Sequence, residues 1–279
     1  MSISVLIITL NEEVNLPACL AAVAWSDDIV VLDSFSTDRT VEIARAAGAR
    51  VYQHEFVNER SQRRHGLKEI TFKYPWVYMP DADEVTPPEL RDEMLAIAAD
   101  PERPDGAFRC RFKVFFMGRW LRYSSLYPTW VVRLVRPDRI DLEQREVNCY
   151  WIVDGPEGRL KNHFIHYSFN KGISWWFEKH NRYSWYEACE SLNSLEGERI
   201  DWGGLVGPGD AVRRRRALKA LSFRLPGRPL LRFFYMYFLR RGFLDGWPGY
   251  LYCRLLASYE FMIVLKMAEI RRRQQGLPI

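Results

Sequence analysis

Between Ser4 and Ala99 the chain switches repeatedly between two hydrophobic periods, and that alternation restricts it to a sheet with helices packed on its faces. Ser4 to Thr9 is a short apolar run, Val14 to Val23 has helical spacing, and Asp28 to Leu32 is a second β-rich run. A helix from Thr40 to Ala47, a strand at Arg50 to Gln53, a helix from about Ser61 to Ile70 and a strand at Trp76 to Met79 complete a βαβαβαβ series. Thr37 and Asp38 supply capping side chains, and Pro87-Pro88-Glu89 suits the first turn of a helix running through Ala99. Residues 106–135 are β-rich and aromatic, as expected of antiparallel strands added to one side of a parallel sheet. The expected class is α/β, with a mixed central sheet.

At 279 residues and 48% apolar composition there is material for one α/β domain and an appended module, and an extended disordered chain is excluded. The five cysteines are scattered, with no C-x-x-C pairing, which argues against a disulfide framework and a zinc site and fits a reducing compartment. No basic region precedes the apolar run Ser2 to Leu10, and Asn-Glu-Glu follows it directly, so this run reads as a strand rather than a signal peptide. Charge is unevenly divided. From Leu205 onward there are 15 Lys and Arg against 4 Asp and Glu; the preceding residues carry 25 against 31. A basic tail on an acidic domain suits a polyanionic partner.

The chemistry-bearing segment is Asp81-Ala82-Asp83-Glu84, placed between a predicted strand and a predicted helix. Ligands of parallel α/β sheets bind at the carboxyl ends of the strands. Two carboxylates spaced i and i+2 there can hold one divalent cation, which then grips nucleotide phosphates; acidic pairs at helix starts also serve as solvated caps. Two further polar clusters fall at predicted strand ends: Thr9-Leu10-Asn11-Glu12-Glu13, and Asp33-Ser34-Phe35-Ser36-Thr37-Asp38. Each alone is ordinary turn chemistry, but three on one sheet edge suggest a binding site.

The order T-x-N-E-E, then V-V-x-D-S-x-S-x-D-x-T, then D-A-D-E resembles the family 2 glycosyltransferases of the GT-A fold, and within them the branch of bacterial lipopolysaccharide-core glucosyltransferases. The likeness runs on through Phe116-Met117-Gly118-Arg119-Trp120, Arg133-Leu134, Arg145-Glu146-Val147-Asn148, Leu160-Lys161-Asn162, His166-Tyr167 and His180-Asn181-Arg182-Tyr183-Ser184, and covers roughly residues 3 to 190. It implies a nucleotide-sugar donor, with UDP as the nucleotide, and a saccharide or lipid-linked glycan acceptor. It further implies that Thr9, Asn11 and Glu12 border the nucleoside, that Asp33 meets the base, and that Asp81 with Asp83 binds Mg²⁺ or Mn²⁺. Ser34, Ser36 and Arg63-Arg64 would lie near the nucleotide, although Gln62 to Gly66 also reads as an exposed helix face.

The implied reaction is an in-line displacement at the anomeric carbon with inversion. It requires the leaving diphosphate to be neutralised and the acceptor hydroxyl to be oriented and deprotonated. His166 and Arg133 are candidates to assist the metal on the diphosphate. The candidate catalytic positions are Arg145, Glu146 and Cys149, and the last departs from the family pattern, which implies a glutamate base there. A thiol with an ordinary pKa of about 8.5 is a poor substitute for a carboxylate in that role. If residues 147–153 run extended, Glu146 points away from the face of Cys149, and Glu143 lies about 20 Å off along a straight strand. A polyprenyl-phosphate sugar synthase, whose acceptor needs no strong base, and a catalytically silent membrane scaffold are the alternatives.

The expected division is a GT-A domain at 1–169, a helical extension on the acceptor side at 170–204, and a basic, aromatic helical region at 205–279. A break is expected near Gly203-Gly204 and Gly207-Pro208-Gly209, followed by Arg213-Arg214-Arg215-Arg216. Leu230 to Arg241 combines rings with flanking arginines and either meets the headgroups of an anionic membrane or packs on protein, another copy included. Arg254, Glu260 and Lys266 are 120° apart on a helical wheel and suit a helix wedged among others. No window long enough to span a bilayer is free of charge. No nucleic-acid recognition motif accompanies the arginines. The expected location is the cytoplasmic face of the inner membrane, peripheral or monotopic.

Overall fold

The computed structural model describes residues 2–143, 150–197, 201, 203 and 227–279. Arg145, Glu146 and Cys149, the glycine break beyond Gly203 and the run Arg213 to Arg216 lie outside the described residues. The chain forms two compact units, Met1–Gly172 and Ile173–Ile279.

The first unit is built on a mixed sheet. Strands β1 (Ser4–Thr9), β2 (Ile29–Asp33), β3 (Arg50–Gln53) and β4 (Val77–Tyr78) alternate with helices α1 (Leu16–Val23), α2 (Thr40–Ala46) and α3 (Glu59–Glu69). Then come β5 (Glu84–Val85), α4 (Pro88–Ala98), β6 (Ala107–Phe116), β7 (Arg119–Trp120), β8 (Trp130–Val135), β9 (Ile140–Glu143), β10 (Tyr150–Val153) and β11 (Glu157–His166). The sheet order is β3-β2-β1-β4-β8-β6-β11-β5, with β7 on β6, and β9 and β10 form a separate pair. Parallel pairing joins β3, β2, β1 and β4; β8 is antiparallel to both β4 and β6, and β11 is parallel to β6. The carboxyl ends of β1, β2, β4, β6 and β11 therefore all face one edge. β1, flanked by β2 and β4, is the point where the strand order reverses, the usual place for a ligand crevice in such sheets.

Helix placement follows from which side chains can be hidden. In α1 the buried residues Leu16, Cys19, Leu20 and Val23 recur at the spacing of one helical face, with a proline in the first turn. In α4 the same spacing buries Leu90, Met94, Ile97 and Ala98. Asn58 caps α3 by accepting the Ser61 amide at 2.8 Å. A Cβ at Gly66 would lie 2.8 Å from a methyl of Leu6, so a larger residue here would require that side chain to shift where α3 packs closely on β1. That approach buries Gln62 and Arg63 on the face of α3 that also carries Leu67.

Three details of this unit differ from the sequence reading. Glu84 is not part of a simple strand-to-helix loop: with Val85 it forms β5, antiparallel to β11. Glu143 pairs across an antiparallel ladder with Tyr150, so residues 143 and 150 do not lie along one straight strand. The stretch 157–166, noted only for its motifs, is a ten-residue strand. Its register slips between Arg159, opposite Arg109, and His163, opposite Arg111. Glu93 of α4 serves that irregularity by accepting the amides of Lys161 at 2.7 Å and Asn162 at 2.9 Å.

The second unit is helical: α5 (Gly172–Gly197, its first residue in the preceding unit), α6 (Arg228–Phe234), a π-helical turn over Tyr235–Leu239, a 3₁₀ turn over Gly242–Asp245, and α7 (Gly246–Gln274). Ala188 and Leu192 of α5 are buried against Ile263 and Met267 of α7. Arg254, Glu260 and Lys266 of α7 each meet a different neighbour: Arg254 lies over the Phe233 ring, Glu260 pairs with Arg228 at 2.7 Å, and Lys266 donates to the Asn181 side chain at 2.7 Å. Among the described residues, no helix is long and apolar enough to cross a membrane.

Candidate active site

The carboxyl ends of β1 and β2 are tied through their polar residues. Asp33 is fully buried; one carboxylate oxygen accepts Thr9 Oγ1 at 3.0 Å and also the Ser36 hydroxyl, and the other accepts the Ser36 amide at 2.8 Å. Asn11 Nα donates to Ser36 Oγ and Asn11 Oδ1 accepts the Thr37 amide, both at 2.8 Å. Asn11 and Phe35 hold left-handed backbone, with φ of 56° and 58°. Asparagine tolerates that geometry through such local bonds, whereas a bulky phenylalanine does so at a cost, which marks this turn as constrained. Thr9, Asn11, Asp33 and Ser36 thus form one cluster. Ser34 joins it on the α3 side, its hydroxyl accepting Gln62 Nε2 at 2.9 Å, while Gln62 Oε1 meets His54 Nδ1 at 2.8 Å.

Asp81 stands beside β1 through a bridge to Ile8, and its two oxygens are taken by two arginines: Arg63 Nη2 at 2.6 Å and Arg133 Nη2 at 2.5 Å. Arg133 also forks onto Glu84, Nε to Oε2 at 3.0 Å and Nη2 to Oε1 at 2.6 Å, while Arg63 Nε reaches Glu59 at 2.9 Å. Burial opposes charge on Asp81, but the adjacent Arg133 and Arg63 outweigh it and hold the carboxyl well below the ordinary range. Burial, helped by Asp81 and opposed by Arg133, pushes Glu84 up to about 7. Arg133, offered by the sequence as a diphosphate contact, spends its Nε and Nη2 donors on carboxylates within the protein. Arg64 does not join Arg63: it is half exposed and lies 3.4 Å from Asp141.

Asp83 turns to a different partner. Its backbone carbonyl accepts the Tyr167 amide at 2.9 Å, and its carboxylate lies 3.2 Å from His166 Nε2. Asp81 is bridged to β1 and Asp83 is bonded beside β11, and their carboxylates meet different side chains. Burial alone would lower the His166 pKa, but Asp83, with Glu84 and Asp81 behind it, raises it overall. Glu12 stands close enough to Asp83 to be raised by it in addition to burial, despite Lys171 at 2.5 Å and Asn15 at 2.8 Å.

Among the described residues no group of three or more His, Cys, Asp or Glu side chains could enclose a metal ion. Asp83 and His166 nevertheless supply a carboxylate oxygen and an imidazole nitrogen side by side. That donor set fits a cation such as Mg²⁺ or Mn²⁺ when substrate phosphates and water complete the shell, as they commonly do.

Sequence reasoning singled out neither Lys171 nor Glu59, and it read Glu84 only as part of a motif. Lys171 contacts Glu12 from 159 positions away, a separation no local pattern reveals. Glu84 could have been found, because a third acid directly after a D-x-D is more negative charge than one cation site needs.

The family model for glycosyl transferase family 2 matches residues 4–154. An "uncharacterized glycosyltransferase" of Rickettsia bellii is 25% identical over 273 residues, covering 96% of this chain and 86% of that protein. The lipopolysaccharide core biosynthesis glycosyltransferase LpsC of Rhizobium meliloti is 26% identical over 214 residues, 72% of this chain and 75% of LpsC. Among solved structures, S. aureus TarS 1-349 superposes over 99% of this chain and 92% of that chain, with 15% identity and a TM-score of 0.45. A family match over more than half of the sequence, taking in the carboxyl edge of β1, β2 and β4, carries the assignment: this chain belongs to glycosyl transferase family 2 and is a glycosyltransferase.

Proposed function

We propose that the protein transfers a sugar, with inversion, from a UDP-sugar to a saccharide or lipid-linked glycan of the bacterial envelope, using Mg²⁺ or Mn²⁺. The observation that carries this reading is the Asp83–His166 pair at the carboxyl edge of the sheet, with Glu12 close by. The similarity to LpsC, a lipopolysaccharide core biosynthesis glycosyltransferase, supports an envelope saccharide as acceptor.

A bound divalent cation would neutralise the leaving diphosphate. The chain's own residues prepare that event. Asp83 and His166 would hold the ion. The turn formed by Thr9, Asn11, Asp33 and Ser36 presents the polar end of β1 and β2 to the nucleoside, and ordering it before the donor arrives lowers the entropy cost of binding. Arg63 and Arg133 keep Asp81 and Glu84 from adding two uncompensated negative charges beneath a polyanionic ligand. The proton acceptor is assigned to the segment containing position 149, where a carboxylate would serve better than a thiol. The Cys149→Glu variant is accordingly expected to transfer sugar faster than the parent; no gain, with donor affinity unchanged, removes position 149 from that role.

The direct test is a thermal-shift screen of nucleotide sugars with and without Mn²⁺, followed by transfer assays on lipid-linked saccharide and lipid phosphate offered separately. A folded-state ligand raises the melting point by mass action. Metal-dependent stabilisation by a UDP-sugar, with label passing to saccharide, is the expected result. Label passing to lipid phosphate alone would make the protein a polyprenyl-phosphate sugar synthase. Absence of any donor effect would leave a silent scaffold. The proposed location is the cytoplasmic face of the inner membrane.

A further inference from the structure

The turn joining α6 to α7 is built inside out. Along α6 and the π-helical turn, Leu230, Phe234 and Phe238 recur every fourth residue, and Leu231, Tyr235 and Leu239 form a parallel row. All six are exposed, Leu230 at 73% and Leu239 at 65%. An ordinary α-helix drifts about 40° for every four residues, and the wider π turn reverses that drift, keeping both rows on one side. The opposite side is also apolar. Met236 is fully buried, and Phe233 and Tyr237 stack on each other and meet Tyr250 of α7 edge-on. A helix with two apolar faces, one packed and the other bare, needs a second apolar environment.

The exposed surface continues past the helix end. Phe243 and Leu244 of the 3₁₀ turn and Trp247 at the start of α7 are exposed, Trp247 at 66%. The backbone beneath them is closely packed: a Cβ at Gly249 would lie 2.5 Å from both the Gly242 carbonyl oxygen and the Asp245 Cβ. Gly242, Asp245 and Gly249 are buried, so the apolar side chains project from a tight turn. Around them in sequence the charge has one sign, although Arg228 is paired with Glu260 of α7. Residues 228–244 contain four arginines and no acidic residue, and the next acid, Asp245, is buried.

We infer that residues 230–247 form a membrane-docking tip, which seats Phe234, Phe238, Leu239, Phe243, Leu244 and Trp247 in the interfacial layer of an anionic bilayer while Arg240 and Arg241 meet lipid phosphates. Aromatic and aliphatic side chains bordered by arginines match that layer in both polarity and charge. A second copy of the chain would bring the same positive charge against itself and is disfavoured on that ground. The inference deepens the proposed peripheral location, and it is read from lipid binding, independently of sugar transfer.

The test is co-sedimentation of the full chain with phosphatidylcholine vesicles, with and without phosphatidylglycerol, across a salt series. The parent is expected to bind the anionic vesicles, more weakly as salt rises. A Leu239→Ser/Phe243→Ser/Trp247→Ser variant should lose at least about tenfold in partitioning, since each substitution removes apolar area from the interfacial layer. Arg241→Glu should weaken binding and flatten its salt dependence. Should the triple variant fail to fold, Leu239→Ser and Trp247→Ser made singly give the same readout in smaller steps. Undiminished vesicle binding by the folded variants overturns the proposal. So does a concentration-dependent dimer of the parent that the variants lose, with no vesicle binding by either. Retained donor-induced thermal shifts in the variants separate failure here from failure of the proposed chemistry.

Discussion

The two units of this protein break opposite rules of burial. The sheet unit hides charges: Arg63, Arg133, Asp81 and Glu84 are packed together at the end of β4 and against α3. The helical unit shows rings and aliphatic side chains to solvent along α6 and the turn that follows it. Each departure costs stability in isolation, and each falls where the proposed donor or the proposed bilayer would be met. In the sheet unit the exception is internally compensated, carboxylate against guanidinium. In the helical unit nothing among the described residues compensates it, and the difference separates a prepared interior site from a surface that awaits cover.

The contrast can be broken most severely at Arg133. Arg133→Met leaves Glu84 buried without its partner and should cost about 3–5 kcal/mol in a denaturant titration. Arg133→Met combined with Glu84→Met should recover part of that loss; a double variant no better than the single one would show that the network supplies packing rather than charge balance. Asp83→Ala removes a group that the interior network does not need. It should leave the melting temperature nearly unchanged while metal-dependent transfer falls by about a hundredfold, the order found when one electrostatic partner of a developing charge is lost. A large fall in melting temperature would make Asp83 structural.

A smaller effect sharpens the comparison from the helical side. His180 stacks on Trp176 at 3.7 Å, and burial pushes its pKa down from 6.5 to about 4 although the Trp176 carbonyl opposes the shift. The unfolded chain therefore takes up this proton first. The associated stability is complete above pH 6.5 and is lost as pH falls toward 4. Melting temperature should decline over that window, and the decline should shrink in His180→Phe. The smallest effect is expected at Leu230→Ser, which should change stability in lipid-free solution by no more than about 0.5 kcal/mol, because its side chain has little native packing to lose. A loss several times larger would mean that Leu230 is already covered.

How much of this was legible in the sequence depends on the range of the interaction. β1 and β3 begin and end where the sequence places them, and α1, α2 and α4 follow from spacing within their own residues, whereas α3, capped by Asn58, begins two residues ahead of its expected start. The polar ends of β1 and β2 were likewise visible, because Asn, Asp and Ser signal turns locally. The pairing of Asp83 with His166 was not, since it depends on β11 returning beside β5 from 83 positions away. Nor could spacing reveal that Arg63 would be buried and Arg64 exposed; that depends on how closely α3 packs on β1, where a Cβ at Gly66 would meet Leu6.

The slip in β11 has one more consequence. Between the pairs Arg159–Arg109 and His163–Arg111, β11 uses two residues more than its partner strand. An even surplus leaves the up-and-down phase of a strand intact, so Phe164 stays in the core and His166 arrives opposite Glu84. Deleting a single residue from 160–162 would shift that phase by half a pleat and deliver Tyr167 where the imidazole now stands. Those few irregular residues act as the timing that decides whether the centre contains a histidine at all.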